Sequence, residues 1–447
     1  MKTDVVRFRM PSGGSEPPRG SRRTRAQPGP ATCPADSLGS HSQMLTSLAL
    51  LACTSFPCAP DELLDSKGVC HASSTTGGDT AVDTDHNGLD SGTGDSATDS
   101  ATDSATHDTG TPDSGGDTGT ATTADDGWPG VFAAPYVDAT GYPTVKVGEI
   151  PDENGVDHYT LAFIVATSAT ACDASWGSYY TIEEGPSAWD SSGEYTLYDQ
   201  VAALRARGGD VMVSFGGAAG TPIEAACGSV DEVVAQYQRV ITQLDLTRID
   251  FDIEGSWESD SASVERRGQA IAALQAWAMS EGRPLHVWYT LPVLPSGLTA
   301  DCVAVVQSAV DNGVELDGVN VMTMDYGDGT APSPDGQMGT YGIDAIEALH
   351  GQLAAIWPTL SESELWARIG TTPMIGQNDT SSEVFAVSDA EQTRTFADDH
   401  GVGMIGYWSI NRDHPCATDT TWASSTCNGS TSVGDWAYAA VFAGYGE

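Results

Sequence analysis

The sequence predicts an α/β protein, a (β/α)8 (TIM) barrel preceded by a disordered acidic linker. Three observations carry that prediction. Short apolar runs alternate with longer amphipathic stretches through the second part of the chain, the pattern of strands alternating with helices. Eight such runs occur in roughly 320 residues, a length that suits this barrel. Polar residues collect where each run ends, at Asp138, Ser214, Glu254, Asp325 with Tyr326, Gln377 with Asn378, and Ser409. Barrels of this class carry their chemistry at the C-terminal ends of their strands.

Taken in order, strands are predicted at 130–139 and 159–167, followed by a helix at 197–207. The run "DVMVSFGG" marks a buried strand at 210–217. Ser229 and Asp231 supply the capping signal for a helix at 230–244. The strand at 248–254 leads to a helix at 261–279, and the strand at 285–292 to a short helix at 302–310. Strands at 316–327, 367–376 and 402–410 alternate with helices at 341–356 and 389–400, and "GDWAYAAVFAGY" closes the chain as a helix. An open doubly wound sheet is the competing architecture. It needs a GxGxxG phosphate loop after an early strand, and "FGGAAG" is not one.

The first part of the 447-residue chain has a different composition. Residues 1–55 are expected to be an N-terminal extension carrying a lipoprotein signal. Its short apolar run "MLTSLALLACTS" ends on Cys53, the residue that lipidation would make the tether. Residues 56–126 are expected to be a disordered linker rich in Ser, Thr, Asp and Gly. The imperfect repeat "DSATDSATDSAT" has too few apolar side chains to offset the entropy of ordering it. Within it, "DTDHNGLD" starts like a calcium loop, but Gly94 stands where the closing acid belongs, so no metal site is assigned. Residues 127–447 are expected to form the barrel. The expected location is secreted, or on the outer surface of a bacterium as a lipoprotein.

The formal net charge of −43 argues against nucleic acid as a partner. Nine cysteines suit an oxidising compartment. Cys416 and Cys427 flank a short polar loop, and Cys172 and Cys227 fall in loops at one end of the fold; both pairs are predicted disulfides. Cys302 is left as a buried free thiol. Cys33, Cys58 and Cys70 stay unassigned.

The stretch "RIDFDIEG" places Asp250, Asp252 and Glu254 at every second position. In a strand these acids share one face, while Ile249, Phe251 and Ile253 share the other. Carboxylates pointing into a barrel are costly to bury, and crowding raises their pKa values. Glu254 is the outermost and is expected to act as an acid near neutral pH. Clustered carboxylates also bind Mg²⁺ or Ca²⁺, but no His partner and no phosphate loop accompany them, so that reading is set aside.

These residues resemble the glycoside hydrolase family 18 chitinases, a bacterial subgroup in particular. "SFGG" is similar to the SxGG of the family's third strand, and Asp250, Asp252 and Glu254 match the last three acids of DxxDxDxE. "NVMTMDYG" resembles the sixth-strand MxYD motif, and Trp408 matches the aromatic floor of the central sugar subsite. The family's first motif Asp falls on Thr247. Its sixth-strand Tyr falls on Met324, and Tyr326, two residues on, is expected to take its place.

The resemblance implies a substrate-assisted, retaining hydrolysis of β-1,4-linked N-acetylglucosamine polymers. Glu254 would protonate the leaving oxygen, and the substrate's own acetamido oxygen would attack. Asp252 would orient the acetamide, and Asp250 would share a proton with Asp252. No cofactor or metal is implied, and the chain is expected to be a monomer. Substrate-binding candidates are Trp408, Asp325, Tyr326, Met322, Ser214, Tyr136, Trp257 and Gln377. Trp176, Trp288 and Asn378 are further candidates that core packing or loop shaping would also explain. Two alternatives stay open: a non-catalytic chitin-binding lectin on the same fold, and an endo-β-N-acetylglucosaminidase acting on N-glycans.

Overall fold

The computed structural model describes residues 126–190 and 193–446, together with two short strands nearer the N-terminus, Glu62–Leu64 and Cys70–Ala72. Those two pair antiparallel, so the stretch expected to be a linker throughout contains a small hairpin. Its apolar Leu63 and Leu64 lie before the Ser/Thr/Asp/Gly tract that prompted the expectation. The lipoprotein signal with Cys53, the calcium-like stretch at 83–90, and Cys33 and Cys58 lie outside the described residues.

Eight parallel strands close into a barrel. The first, β1, is in two pieces, Phe132–Ala133 and Tyr136–Asp138. It is followed by β2 (His158–Ser168), β3 (Asp210–Gly216), β4 (Arg248–Asp252), β5 (His286–Pro292), β6 (Gly318–Met322), β7 (Ile369–Thr372) and β8 (Met404–Ile405). The first piece of β1 pairs with β8 and the second with β2, which closes the ring and leaves no open edge. The main helices are α1 (Leu197–Arg205), α2 (Val230–Leu244), α3 (Ser261–Ser280), α4 (Ala300–Asp311), α5 (Met338–Ile356), α6 (Val387–His400) and α7 (Ala437–Phe442). As expected, the Ser229 hydroxyl accepts the Glu232 N–H at the start of α2.

Two departures from the expected elements bear on the site. After β2 the chain turns back as strand Ala171–Trp176, antiparallel to β2, and a further hairpin follows before α1. Cys172 of that excursion is bonded to Cys227. The last strand is also shorter than expected. Beyond Ile405 regular pairing gives way to an isolated bridge from Trp408 to Met374.

Two apolar layers hold the barrel. Between strands and helices lies the main core, which includes Ile249, Phe251 and Ile253. Inside the barrel is a smaller cluster of Trp128, Phe132, Tyr136, Met212, Trp288 and Met404. At the lower end of that interior Arg248 pairs with Asp126 at 2.9 Å and lies over the rings of Trp128 and Phe132. Trp288 fills so much of the interior that Gly318 cannot be replaced: a Cβ there would lie 2.2 Å from its ring.

Candidate active site

The three acids on and just beyond β4 face the barrel interior, with the intervening residues in the outer core. Their environments differ in steps. Asp250 is fully buried, and hydroxyls surround it. Oδ2 accepts from Ser214 (2.6 Å) and Tyr136 (3.0 Å), and Oδ1 accepts from Thr290 (2.7 Å). Burial pushes its carboxyl up to about 6, and the hydrogen bonds from Ser214, Thr290 and Tyr136 restrain the rise.

Asp252 is also buried, but its Oδ1 has no hydrogen-bond partner among the described residues. Burial first, then the charges of Glu254 and Asp250, push its pKa well above the usual carboxylate range. The expected shared proton between Asp250 and Asp252 has no bond to carry it in this structure. Both oxygens of Asp250 are taken by hydroxyls instead.

Glu254 lies just past β4 in extended backbone. Burial, then the nearby charge of Glu258, push its pKa up to about 7. A carboxyl with that value is about half protonated at pH 7 and largely protonated a unit below, so it can serve as a general acid near neutrality.

The register of the strands assembles the rest. Thr290 on β5 lies opposite Asn320 on β6. The Asn320 amide donates to Thr290 (3.0 Å), Thr372 (2.8 Å) and Tyr136 (3.3 Å), linking four strands beneath the acids. The "SFGG" glycines are explained by a close approach. Gly216 has φ of 108°, and a Cβ would lie 2.0 Å from the Asp252 carbonyl oxygen.

Above this network is a cavity of about 290 Å³ lined by Asp252, Glu254, Tyr136, Met322, Asp325 and Trp408, with Phe163, Met324, Asp379 and others completing the wall. Trp408 stacks on Phe163 with centroids 5.6 Å apart and planes 20° apart. Thus Trp408, Tyr136, Met322 and Asp325 meet in one place with the acids, on four separate strand ends.

Several sequence candidates do not reach the cavity. Ser214 is fully buried, where it holds Asp250. Tyr326 is also buried, its hydroxyl has no partner among the described residues, and its ring packs against Tyr341. Met324 lines the wall in its place: β6 ends at Met322, and Asp325 has a φ of 51°, so strand alternation no longer sets where 324–326 face. Gln377 shapes its loop, donating to the carbonyls of Asn378, Ser381 and Glu383. Asn378 does the same toward Met374 and Gly376. Trp257 packs against the outer core, Trp176 is buried there, and Trp288 fills the barrel interior. Thr247 lies ahead of β4, and its buried hydroxyl has no partner among the described residues.

Phe163, Thr290, Asn320, Met374 and Asp379 escaped sequence reasoning. A polar Thr or Asn inside the apolar runs "LHVWYTLP" and "GVNVM" is the one signal that pointed to two of them.

No family model matches the chain. It is 42% identical over 296 residues to a probable bifunctional chitinase/lysozyme of Escherichia coli, a match covering 65% of this chain and 32% of that protein. It is also 42% identical to Endochitinase 11 of Metarhizium anisopliae, covering 65% of this chain and 54% of that protein. The chain thus spans about a third to a half of the length of these curated relatives. Among solved structures, the catalytic domain of a hyperthermophilic chitinase from Pyrococcus furiosus superposes with a TM-score of 0.61 at 30% identity. That match covers 70% of this chain and 94% of the archaeal domain. The chain belongs to the glycoside hydrolase family 18 chitinases. Catalytic-site mutants of the same archaeal domain have been crystallised with chito-oligosaccharides. Family 18 membership accounts for a (β/α)8 barrel in which the SxGG glycines lie against the acidic strand.

Proposed function

We propose that the chain is a chitinase that hydrolyses β-1,4-linked N-acetylglucosamine polymers by a substrate-assisted, retaining route. The observation that carries this reading is the graded set of acids beside Trp408: a carboxyl near pKa 7 at the mouth, a partnerless carboxylate below it and a hydroxyl-bound one at the base. A flat sugar face stacks on the indole of Trp408. Glu254 holds a proton near neutral pH and delivers it to the leaving glycosidic oxygen. The substrate's acetamido oxygen attacks the anomeric carbon, and the acetamide N–H is the donor that Asp252 Oδ1 lacks. The positive charge of the oxazolinium that forms favours the ionised form of Asp252, whose proton leaves to solvent, and the resulting negative charge offsets it. Glu254, now a carboxylate, takes a proton from the incoming water. Asp250, held below by three hydroxyls, acts on Asp252 through its charge and does not touch the sugar.

The test is release of soluble oligosaccharide from colloidal chitin by residues 112–447, beside Glu254→Gln. Release by the parent and loss of at least a thousandfold in the variant is the expected result. Binding without release by either protein replaces the hydrolase with the lectin reading. Release only from a high-mannose glycoprotein replaces it with the endo-β-N-acetylglucosaminidase. Export with a lipid tether at Cys53 is part of the same proposal, and the mass of the mature N-terminal peptide tests it.

A further inference from the structure

The loop after β7 sends one buried side chain under the turn after β6. That loop forms a hairpin, in which Gly376 and Gln377 pair antiparallel with Phe385 and Val384. Ser381, Ser382 and Val384 are exposed, yet Glu383 among them is fully buried. A carboxylate is seldom buried without a cation beside it. Here both oxygens go to successive backbone donors of the other loop instead. Oε2 accepts the Tyr326 N–H (3.2 Å), and Oε1 accepts the Gly327 N–H (2.7 Å). Consecutive N–H groups that converge on one anion make a nest, and this one needs left-handed backbone, with φ of 51° at Asp325 and 78° at Gly327. We propose that Glu383 is a positioning residue for sugar binding, which locks the turn at 324–328 so that Met324 and Asp325 face the catalytic cavity and Tyr326 is turned away. The proposal deepens the function proposed above and rests on it.

The left-handed conformation of Asp325 is uphill for a residue with a side chain, so something must hold it. Two further carboxylates cross between the loops. Asp325 Oδ1 accepts the Thr380 N–H (2.7 Å), which leaves Oδ2 for a ligand, and Asp328 accepts the Ser382 hydroxyl (2.6 Å). Both of those contacts are exposed to water and contribute little. The bonds of Glu383 are shielded and charge-assisted, which makes them the strong part of the clamp.

Glu383 is itself fixed within the hairpin. Its N–H donates to the Thr380 carbonyl (2.9 Å), and its own carbonyl accepts the Asn378 N–H (3.0 Å) and the Gln377 side-chain amide (3.1 Å). Gln377 and Asn378, which do not reach the cavity, thus act on it through Glu383. The result is one wall made from two loops, Met324 and Asp325 from the first and Asp379 from the second. The Tyr326 ring is left against Tyr341 of α5.

The experiment compares the full chain carrying Glu254→Gln with the same protein carrying Glu383→Gln or Glu383→Ala in addition. Hydrogen exchange at the Tyr326 and Gly327 amides reports the turn, and calorimetric titration of the chitin hexamer reports sugar binding. In Glu383→Ala, exchange is expected to quicken and hexamer affinity to fall, each by about tenfold. Glu383→Gln keeps one acceptor oxygen and the shape of the side chain, so it is expected to lie between that variant and the parent. In an Asp325→Ala background, Glu383→Gln is expected to change affinity by less than about twofold, because its effect passes through Asp325. Faster exchange with unchanged affinity overturns the positioning role. So does an equal loss of affinity with and without Asp325, the mark of a general loss of structure. Weakened hexamer binding in the Glu383 variants, with no hydrolysis by the protein that retains Glu254, supports the positioning role and overturns only the hydrolase. Absence of hexamer binding by the Glu254→Gln protein overturns both.

Discussion

Asp250 and Asp252 lie two residues apart on one face of β4, yet only Asp250 is saturated with hydroxyl donors. Three hydroxyls hold it within 2.6–3.0 Å, while Oδ1 of Asp252 is buried with none. The difference comes from depth. Asp250 lies level with the Ser, Thr and Tyr side chains of neighbouring strands, and Asp252 lies above that layer, against the cavity. One carboxyl is thereby fixed and the other is left to receive a ligand.

Thr290→Val tests the fixed carboxyl. The substitution keeps the shape and removes the 2.7 Å donor to Asp250 and the link to Asn320. A hydrogen bond to a charged group contributes about 1.5–3 kcal/mol, so kcat is expected to fall by roughly ten- to a hundredfold, with KM changing less. Steady-state kinetics on chitin oligosaccharides measures it. An unchanged kcat would show that Asp250 needs no positioning from β5.

The pH profile follows from Glu254. Its pKa of about 7 keeps the proton on the acid below that pH, so activity is expected to fall as pH rises through about 7. The charge of Glu258 contributes to that elevation. Glu258→Gln is therefore expected to move the alkaline limb of kcat/KM to lower pH. A limb that stays in place would remove Glu258 from the account.

Stability carries the opposite signature to that of most carboxylates. A folded-state pKa raised above the unfolded value means the native protein binds the proton more tightly. The contribution is complete below about pH 4 and is lost as pH rises through about 6 for Asp250 and about 7 for Glu254. Melting temperature is expected to drop between pH 4 and 7, and the double variant Asp250→Asn, Glu254→Gln to flatten that drop. Parallel curves for parent and variant would refute the assignment.

Reduction of the Cys172–Cys227 bond should lower stability without touching the acids. The bond ties the excursion after β2 to the loop after β3 across a separation of 55 residues. Loop-closure entropy for that length corresponds to about 4 kcal/mol, or a decrease of about 6 °C in Tm for a domain of this size. Scanning calorimetry of Cys172→Ser with Cys227→Ser measures it, and a shift under 1 °C would refute the entropic account.

Trp408→Ala is expected to raise KM for chitin oligosaccharides at least tenfold, about 1.4 kcal/mol of lost stacking. Phe163→Ala removes the ring on which Trp408 lies, and a smaller rise is expected from the freed indole. Equal KM values in parent and Trp408→Ala would remove the indole from the sugar site.

Much of this protein was legible in the chain itself. Strand and helix periodicity located the eight strands, because apolar side chains repeat at two residues in one and near 3.6 in the other. The three acids of "RIDFDIEG" share a face for the same local reason, and Ser229 caps its helix through a contact three residues away. Local spacing also pointed to Cys416 and Cys427, which lie close in sequence. What tertiary structure decided is what depends on partners distant in the chain. Tyr136, Ser214 and Thr290 meet at Asp250 only because the barrel closes, bringing β1, β3 and β5 around one carboxyl. Tyr326 and Gln377 have the right chemistry for a sugar site, but packing turns both away from the cavity. Phe163, hidden in an apolar run, is turned toward it. Sequence periodicity sets which face of a strand a side chain takes; the register of its neighbours sets how deep that face lies and what it meets there.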